Sequence, residues 1–121
     1  MAKSEIQDMK EKLAKFVKER DWEKYHNPKD IAVALSVESN ELLELFQWKN
    51  PEESFQLLKE KREDVELEIA DILHFLIEFS NITGIDLYEA FNKKLAINEK
   101  RYPKELVKGK SNKYTYYQNK Q

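Results

Sequence analysis

Residues 31–48 read IAVALSVESNELLELFQW, which is an amphipathic helical pattern with a carboxylate in its apolar face. At about 100° per residue, one face of this helix collects six apolar side chains: Ile31, Ala34, Leu35, Leu42, Leu45 and Phe46. Glu38 falls in the middle of that face, and Glu41 lies at its edge. An ionised carboxylate among apolar groups is costly unless it is paired or binds a metal. We therefore expect this helix either to bury a charge at a cost or to present it to a cation.

A second stretch, residues 64–82 (DVELEIADILHFLIEFSNI), has the same feature. It is apolar over most of its circumference, yet Glu68 falls among isoleucine and phenylalanine side chains, and Asp71 follows three residues later. Side chains at i and i+3 share one helix face, as Glu38 and Glu41 also do. If the two helices pack together, four carboxylates can meet.

Composition favours one all-α domain. The chain has 121 residues, of which 36% are charged and 40% hydrophobic, and only five residues are Gly or Pro, so long helices are expected. The formal net charge of −2 gives no argument for binding to nucleic acid or a membrane surface. Since the chain has no Cys and no N-terminal apolar run after a basic segment, we expect a cytoplasmic protein.

Capping signals divide the chain into helices separated by short connections. Two Asn-Pro pairs are typical helix starts: Asn27-Pro28 and Asn50-Pro51. Ser4 and Gln7 suggest a capping box at a third helix start. Gly84 is a natural C-cap. The predicted helices cover residues 4–20, 28 to about 48, 51–58, 60–82 and 87–101, with a loop at 21–26. The fold class expected is a four-helix-bundle-type all-α fold.

We expect a single domain over residues 1–103 and a basic tail over 104–121 that contains three tyrosines. The tail is interpreted as a solvated terminus, or as a segment that folds over a neighbour or an anionic ligand. Because the helix at 60–82 is apolar almost all round, it needs cover on every side. We therefore expect a homo-oligomer with this helix near the interface.

The acid pairs suggest a hard cation. Two carboxylates about 5 Å apart repel by roughly 3 kcal/mol at an effective dielectric of 20, so four would take up protons or need a cation. Oxygen-only ligands select Mg²⁺ when substrate phosphates and waters complete its shell. Acid pairs at this spacing also arise by chance in a chain with 23 acidic residues; their position on apolar faces favours a site.

Other residues could complete a nucleotide site. Lys94, Asn98 and Arg101 share one helix face at i, i+4 and i+7 and could hold phosphate oxygens, or form an ordinary solvated face. Trp22 and Trp48 flank the first acid helix. Such residues are more often core or boundary residues, although a nucleobase stacks well on them.

His26, just before the helix start, could donate to a base or phosphate, or merely cap the helix. His74 is expected to pack rather than to act in catalysis. The sequence contains no Ser-His-Asp arrangement, no Gly-rich phosphate loop and no zinc spacing.

These motifs together resemble the MazG-like nucleoside triphosphate pyrophosphohydrolases, in particular their small single-domain, dCTP pyrophosphatase-like branch. The resemblance rests on Trp22…His26-x-Pro28, LSVESNELLELFQW (35–48), EIADILHFL (68–76), Gly84-Ile85-Asp86 and NEKRYP (98–103). It implies an all-α bundle, a dimer or a tetramer built from dimers, and Mg²⁺-dependent hydrolysis of an NTP or dNTP to the monophosphate and pyrophosphate.

The resemblance also implies roles for individual residues. The metal ligands would be Glu38, Glu41, Glu68 and Asp71, and the substrate contacts would be Trp22, His26, Trp48, Lys94, Asn98 and Arg101. Two departures concern base choice: Ser39-Asn40 stand where many members have a small residue or Gly, and Phe75 stands where members often carry Tyr.

Two questions stay open at the level of sequence. Either Glu38 or Glu41 could take the proton of the attacking water. The bundle could also be a non-catalytic nucleotide-binding or regulatory module. A dUTPase-like enzyme or a phosphoribosyl-ATP pyrophosphatase would have the same metal site and differ in the base pocket. Nucleotide-pool house-cleaning is the purpose that the resemblance suggests.

Overall fold

The computed structural model describes residues 2–109, and within them every regular element is helical. The elements are α1 (Glu5–Glu19), a 3₁₀ turn (Glu23–Tyr25), α2 (Pro28–Phe46), α3 (Pro51–Glu60), α4 (Arg62–Thr83), α5 (Leu87–Arg101) and α6 (Lys104–Val107). The all-α prediction is confirmed, and its helix boundaries agree with the structure to within about two residues.

The Asn-Pro helix starts form as predicted. The side chain of Asn27 accepts from the backbone N–H of Asp30 at 2.9 Å, so one of the free N–H groups of the first turn is satisfied. At the start of α3, Asn50 and Glu53 exchange side chain to backbone hydrogen bonds and form a complete capping box.

Of the two hydrogen bonds of the capping box predicted at the start of α1, only one is formed. Ser4 does accept from the backbone N–H of Gln7 at 3.1 Å. The Gln7 amide, however, donates to Glu11 at 3.2 Å and does not return to Ser4. A favourable i, i+4 partner on the helix surface has replaced the reciprocal cap.

Two short elements differ from the sequence prediction. The expected loop at 21–26 contains the 3₁₀ turn, in which Tyr25 donates its backbone N–H to Trp22 at 3.0 Å. The expected tail begins with the single helical turn α6, whose Leu106 and Val107 donate to the Pro103 carbonyl. The remaining tail, residues 110–121 with its tyrosines, lies outside the described residues.

Helix α4 is the centre of the first compact unit, which ends at Ile85. It packs against α1, α2 and α3. The buried apolar side chains come from all four helices: Val17, Ile31, Leu57, Val65 and Ile77. Pairs of contacts fix the directions, since the Asn81 amide donates to the Lys10 carbonyl while the Phe16 ring contacts that of His74. Thus α1 runs antiparallel to α4.

The second compact unit begins at Asp86 and contains α5 and α6 within the described chain. Asp86 caps α5 by accepting from the Glu89 N–H at 3.0 Å. No helix in residues 2–109 is both long and apolar enough to cross a membrane.

Candidate metal centre and substrate site

The four predicted acids converge on one point between α2 and α4. Each of Glu38, Glu41, Glu68 and Asp71 offers a carboxylate oxygen, and these four oxygens all lie within 4.8 Å of one another. The first three side chains are half-buried, and Asp71 is exposed. The i, i+3 spacing on two packed helices therefore gathers all four acids, with one side open to solvent.

The crowding of these acids changes their protonation. Burial is the largest cause that raises the pKa of Glu38, from its ordinary 4.5 to about 7; hydrogen bonding with Glu41 and the charges of Glu41, Asp71 and Glu68 raise it further. The pKa of Glu68 is raised too, mainly by burial and then by the charge of Glu41. Both shifts express the cost of negative charge at this point when no cation offsets it.

The donor set fits a divalent metal ion. One carboxylate oxygen of Glu38 and one of Glu68 are buried and have no hydrogen-bond partner. A buried, unpaired carboxylate oxygen is unfavourable, and a hard cation is the ligand that would satisfy several such oxygens together. The absence of His and Cys from the cluster is consistent with Mg²⁺ or Mn²⁺ rather than zinc.

A fifth acid, Glu44, belongs to the same electrostatic environment and was missed in the sequence. It lies on α2 one turn beyond Glu41, and its charge contributes to the raised pKa of Glu68. The signal was present, because Glu44 follows Glu41 at the same i, i+3 spacing and is therefore its neighbour on the helix surface.

His26 lies against a second buried acid that was also missed, Glu78 of α4. The His26 Nδ1 and a Glu78 carboxylate oxygen are 3.1 Å apart, and the two side chains are 16% and 4% exposed. Glu78 was hidden in the sequence because residues 64–82 already contain several acids and only the long-range partner distinguishes this one.

Trp22 contacts the α1–α4 interface. Its ring packs edge-on against Phe16, with ring centroids 5.8 Å apart, and 44% of its surface remains exposed. His74 lies between the rings of Phe16 and Phe75, at 6.3 and 4.8 Å, which agrees with the packing role expected for it.

Trp48 is the most exposed large apolar residue of the described chain, at 87%. It borders a pocket of about 350 Å³ between the end of α2 and α3, whose lining includes Glu44 and Leu57. A flat ring exposed beside a pocket, one turn from Glu44, offers a surface for stacking.

His26 and Trp48 lie at opposite ends of α2. That helix has 19 residues, hence a length of about 28 Å at 1.5 Å per residue. The acids lie between these ends. Within one chain, a nucleotide whose phosphates lie at the acids can therefore extend toward His26 or toward Trp48, but its base cannot contact both.

The predicted phosphate contacts lie on α5, in the second unit. Asn98 and Arg101 are half-buried and Lys94 is exposed. Their i, i+4, i+7 spacing is kept because α5 is regular from Leu87 to Arg101. Their contact with phosphate stays a prediction.

Comparison with known proteins gives the context of this site. The model of the MazG-like family matches residues 33–116. Over 112 residues the chain is 39% identical to dCTP pyrophosphatase 1 of Bos taurus and 38% identical to that of Homo sapiens, covering 91% of this chain and 66% of each relative. The chain therefore spans about two thirds of the length of these curated relatives.

The fold is also similar to a solved structure. A pyrophosphatase from Archaeoglobus fulgidus superposes with a TM-score of 0.81 at 38% identity, covering 85% of this chain and 96% of that one. The resemblance found in the motifs is confirmed by these matches.

Proposed function

Since this chain belongs to the MazG-like family, we propose that it is a Mg²⁺-dependent pyrophosphohydrolase that converts a nucleoside triphosphate to the monophosphate and pyrophosphate. The observation that carries the proposal is the four-acid cluster between α2 and α4, with its two buried and unpartnered carboxylate oxygens. Relatives named dCTP pyrophosphatase 1 and a structural neighbour named a pyrophosphatase support the same reaction.

The metal would be held by Glu38, Glu41, Glu68 and Asp71. When bound, a divalent cation neutralises the charge that develops on the phosphate oxygens during the reaction. The open side of the cluster, at the exposed Asp71, leaves access for triphosphate. The basic and amide side chains of α5 remain the proposed phosphate contacts: Lys94, Asn98 and Arg101.

The proton of the attacking water would pass to Glu38 or Glu41. Water adds to the α-phosphorus, the bond from this phosphorus to the bridging oxygen breaks, and pyrophosphate leaves.

We propose a dNTP of the dCTP type as the first substrate to test. The support is the name of the curated relatives and the exposed ring of Trp48 beside its pocket, on which a base can stack. Removal of excess or aberrant nucleotides would be the purpose of such a reaction.

The active assembly would be a homodimer or homotetramer. Apolar side chains at i, i+4 and i+7 of α4 are left partly exposed: Ile69 at 51%, Leu73 at 36% and Leu76 at 39%. An apolar groove of about 370 Å³ between α1 and α4 continues this surface, and its lining includes Leu73 but none of the four acids. A second copy would cover it, and could bring the Trp48 of one chain toward the His26 end of another.

A substrate panel tests the proposal. The full chain would be incubated with the common NTPs and dNTPs, with Mg²⁺ and with EDTA, and pyrophosphate release would be measured. We expect release with Mg²⁺, fastest for one or a few bases, and none with EDTA. Nucleotide binding without any pyrophosphate release would instead favour a non-catalytic regulatory module, and release that persists in EDTA would contradict the metal proposal.

A further inference from the structure

We infer that Glu78 is a positioning residue that holds His26 as the Nδ1–H tautomer, so that Nε2 is an acceptor for a donor group on the nucleoside part of the substrate. The inference rests on the proposed function and adds to it a residue and a type of substrate contact. Glu78 itself contacts neither the acid cluster nor, on this proposal, the substrate.

The geometry ties the two side chains together. Glu78 lies on α4 and is 4% exposed, and its carboxylate oxygen is 3.1 Å from the His26 Nδ1. The backbone of His26 is fixed as well, because its N–H donates to the Glu23 carbonyl at 3.1 Å. The backbone that carries the ring is therefore held in place, and the ring has a hydrogen-bond partner, Glu78, on α4.

The second carboxylate oxygen of Glu78 argues against a purely structural role. It is buried and has no hydrogen-bond partner. A buried carboxylate with one unpaired oxygen lowers the stability of the fold, and its replacement by an apolar residue of similar volume is often neutral or stabilising. Packing alone would therefore favour Leu or Met at position 78, and the acid needs another reason.

The hydrogen bond to Glu78 decides which ring nitrogen carries the proton. An ionised carboxylate only accepts, so with Glu78 ionised the hydrogen of the shared bond lies on Nδ1, and in the neutral ring Nε2 is then an acceptor. Such a nitrogen recognises a donor, either an exocyclic amino group of a base or a sugar hydroxyl, and disfavours a carbonyl oxygen.

The pair lies within reach of a nucleotide bound at the acids. Glu78 follows Asp71 by seven residues on α4, which is about 10 Å along the helix axis. His26 lies on the same seam between α2 and α4, because it contacts Glu78 while Glu38 of α2 contacts the acids of α4. A nucleotide whose phosphates lie at the acids, and which extends along this seam toward Glu78, would place its nucleoside near His26.

The first test is spectroscopic and needs no substrate. The chain has two histidines, so ¹⁵N chemical shifts of the imidazoles can be assigned with a His26→Ala variant. We expect wild type to show the Nδ1–H form at His26, Glu78→Gln to retain much of it through its amide oxygen, and Glu78→Met to lose it. An unchanged tautomer in Glu78→Met would overturn the inference.

The second test is kinetic. In Glu78→Met we expect KM to rise up to about tenfold, the loss of one hydrogen bond, with little change in kcat or in thermal stability. The double variant with His26→Ala should be no worse than His26→Ala alone, because Glu78 acts through His26. Glu63→Met, the same change at an exposed acid of α4, is the matched control and should behave like wild type.

The choice of substrate distinguishes the two kinds of donor. If the donor is a base amino group, the Glu78→Met variant prefers dCTP over dUTP less strongly than wild type does. If the donor is a sugar hydroxyl, the variant prefers dCTP over its 2′,3′-dideoxy analogue less strongly. Additive effects in the double variant, or a large loss of stability with unchanged KM, would show a structural role. A wild type without hydrolysis would instead overturn the proposed function, and the tautomer measurement would still decide the role of Glu78.

Discussion

At the scale of single residues, the molecule is defined by carboxylates in places that packing would give to apolar side chains. Glu38, Glu68 and Glu78 each have a buried oxygen without a partner. Burial of ionised groups opposes folding unless a partner or a cation compensates it. In a chain this small, such costs are tolerated where they serve binding or catalysis.

We expect Glu38→Gln and Glu41→Gln to fold normally and to lose at least about 100-fold in kcat, since each removes a proposed metal ligand and a candidate base. The measurement is pyrophosphate release under saturating Mg²⁺, with circular dichroism as the check on folding. Glu63→Gln, an exposed acid of the same chain, should retain activity. If both single variants, Glu38→Gln and Glu41→Gln, remained active, the assignment of the site would be wrong.

The raised pKa of Glu38 predicts how the metal-free protein responds to pH. Its folded-state pKa is about 7 against an ordinary 4.5, so between these values the folded state holds a proton that the unfolded state has released. Stability therefore falls as pH rises through this window and levels off above it. The burial that raises the pKa of Glu68 acts in the same direction.

The check is thermal denaturation in EDTA across this pH range. Wild type should lose more stability with rising pH than Glu38→Gln, which has no titrating group at this position. Added Mg²⁺ should reduce the difference at high pH because a cation offsets the same charge. Parallel pH curves for the two proteins would count against the pKa of Glu38.

At the scale of elements, α4 organises the first unit, and its ends are set by local signals. Its C-terminus is closed by Gly84 at φ +75°, whose N–H donates to the Ser80 carbonyl at 2.9 Å. The buried Ser80 hydroxyl donates to the Ile85 carbonyl and fastens the following turn. This end of α4 also carries Glu78, so its geometry bears on the His26 contact.

We expect Gly84→Ala to destabilise the protein by about 1–2 kcal/mol, the cost of a left-handed backbone conformation for a residue with a Cβ. A Cβ at this position would meet no atom within 4 Å, so the loss is one of backbone strain alone. Urea denaturation measures it. Gly84→Asn should lose less, because Asn tolerates this conformation, and equal losses for Ala and Asn would indicate a different cause.

At the level of the entire protein, the exposed apolar surface is typical of an interaction site. The stripe of Ile69, Leu73 and Leu76 on α4 and the groove between α1 and α4 form a larger apolar surface than isolated exposed side chains would. Together with the separation of His26 and Trp48 along α2, it is the reason for proposing that copies of the chain associate.

Sedimentation velocity and light scattering test the association. We expect a dimer or tetramer for wild type and a shift toward monomer for Leu76→Lys, which places a charge in the stripe, with helical content unchanged. The loss of activity should follow the loss of association if two chains complete the site. A wild type that is monomeric at micromolar concentration would end the oligomer proposal.

Local patterns of residues are sufficient to predict the helices and the acid pairs. Asn-Pro starts, Gly84 and a period of about 3.6 are local signals. They predict helices from residue 28 to about 48 and over 60–82, and the structure has them at Pro28–Phe46 and Arg62–Thr83. The i, i+3 spacing of Glu38 with Glu41 and of Glu68 with Asp71 is local too. Periodicity therefore already placed each pair on one face.

Long-range packing, in contrast, selects which acids meet and which partner each one has. The packing of α2 along α4 brings four carboxylate oxygens within 4.8 Å, adds Glu44 to their field and joins His26 to Glu78 across 52 residues. These facts depend on helix register and direction, which are set by long-range packing and leave no mark in the local pattern of residues.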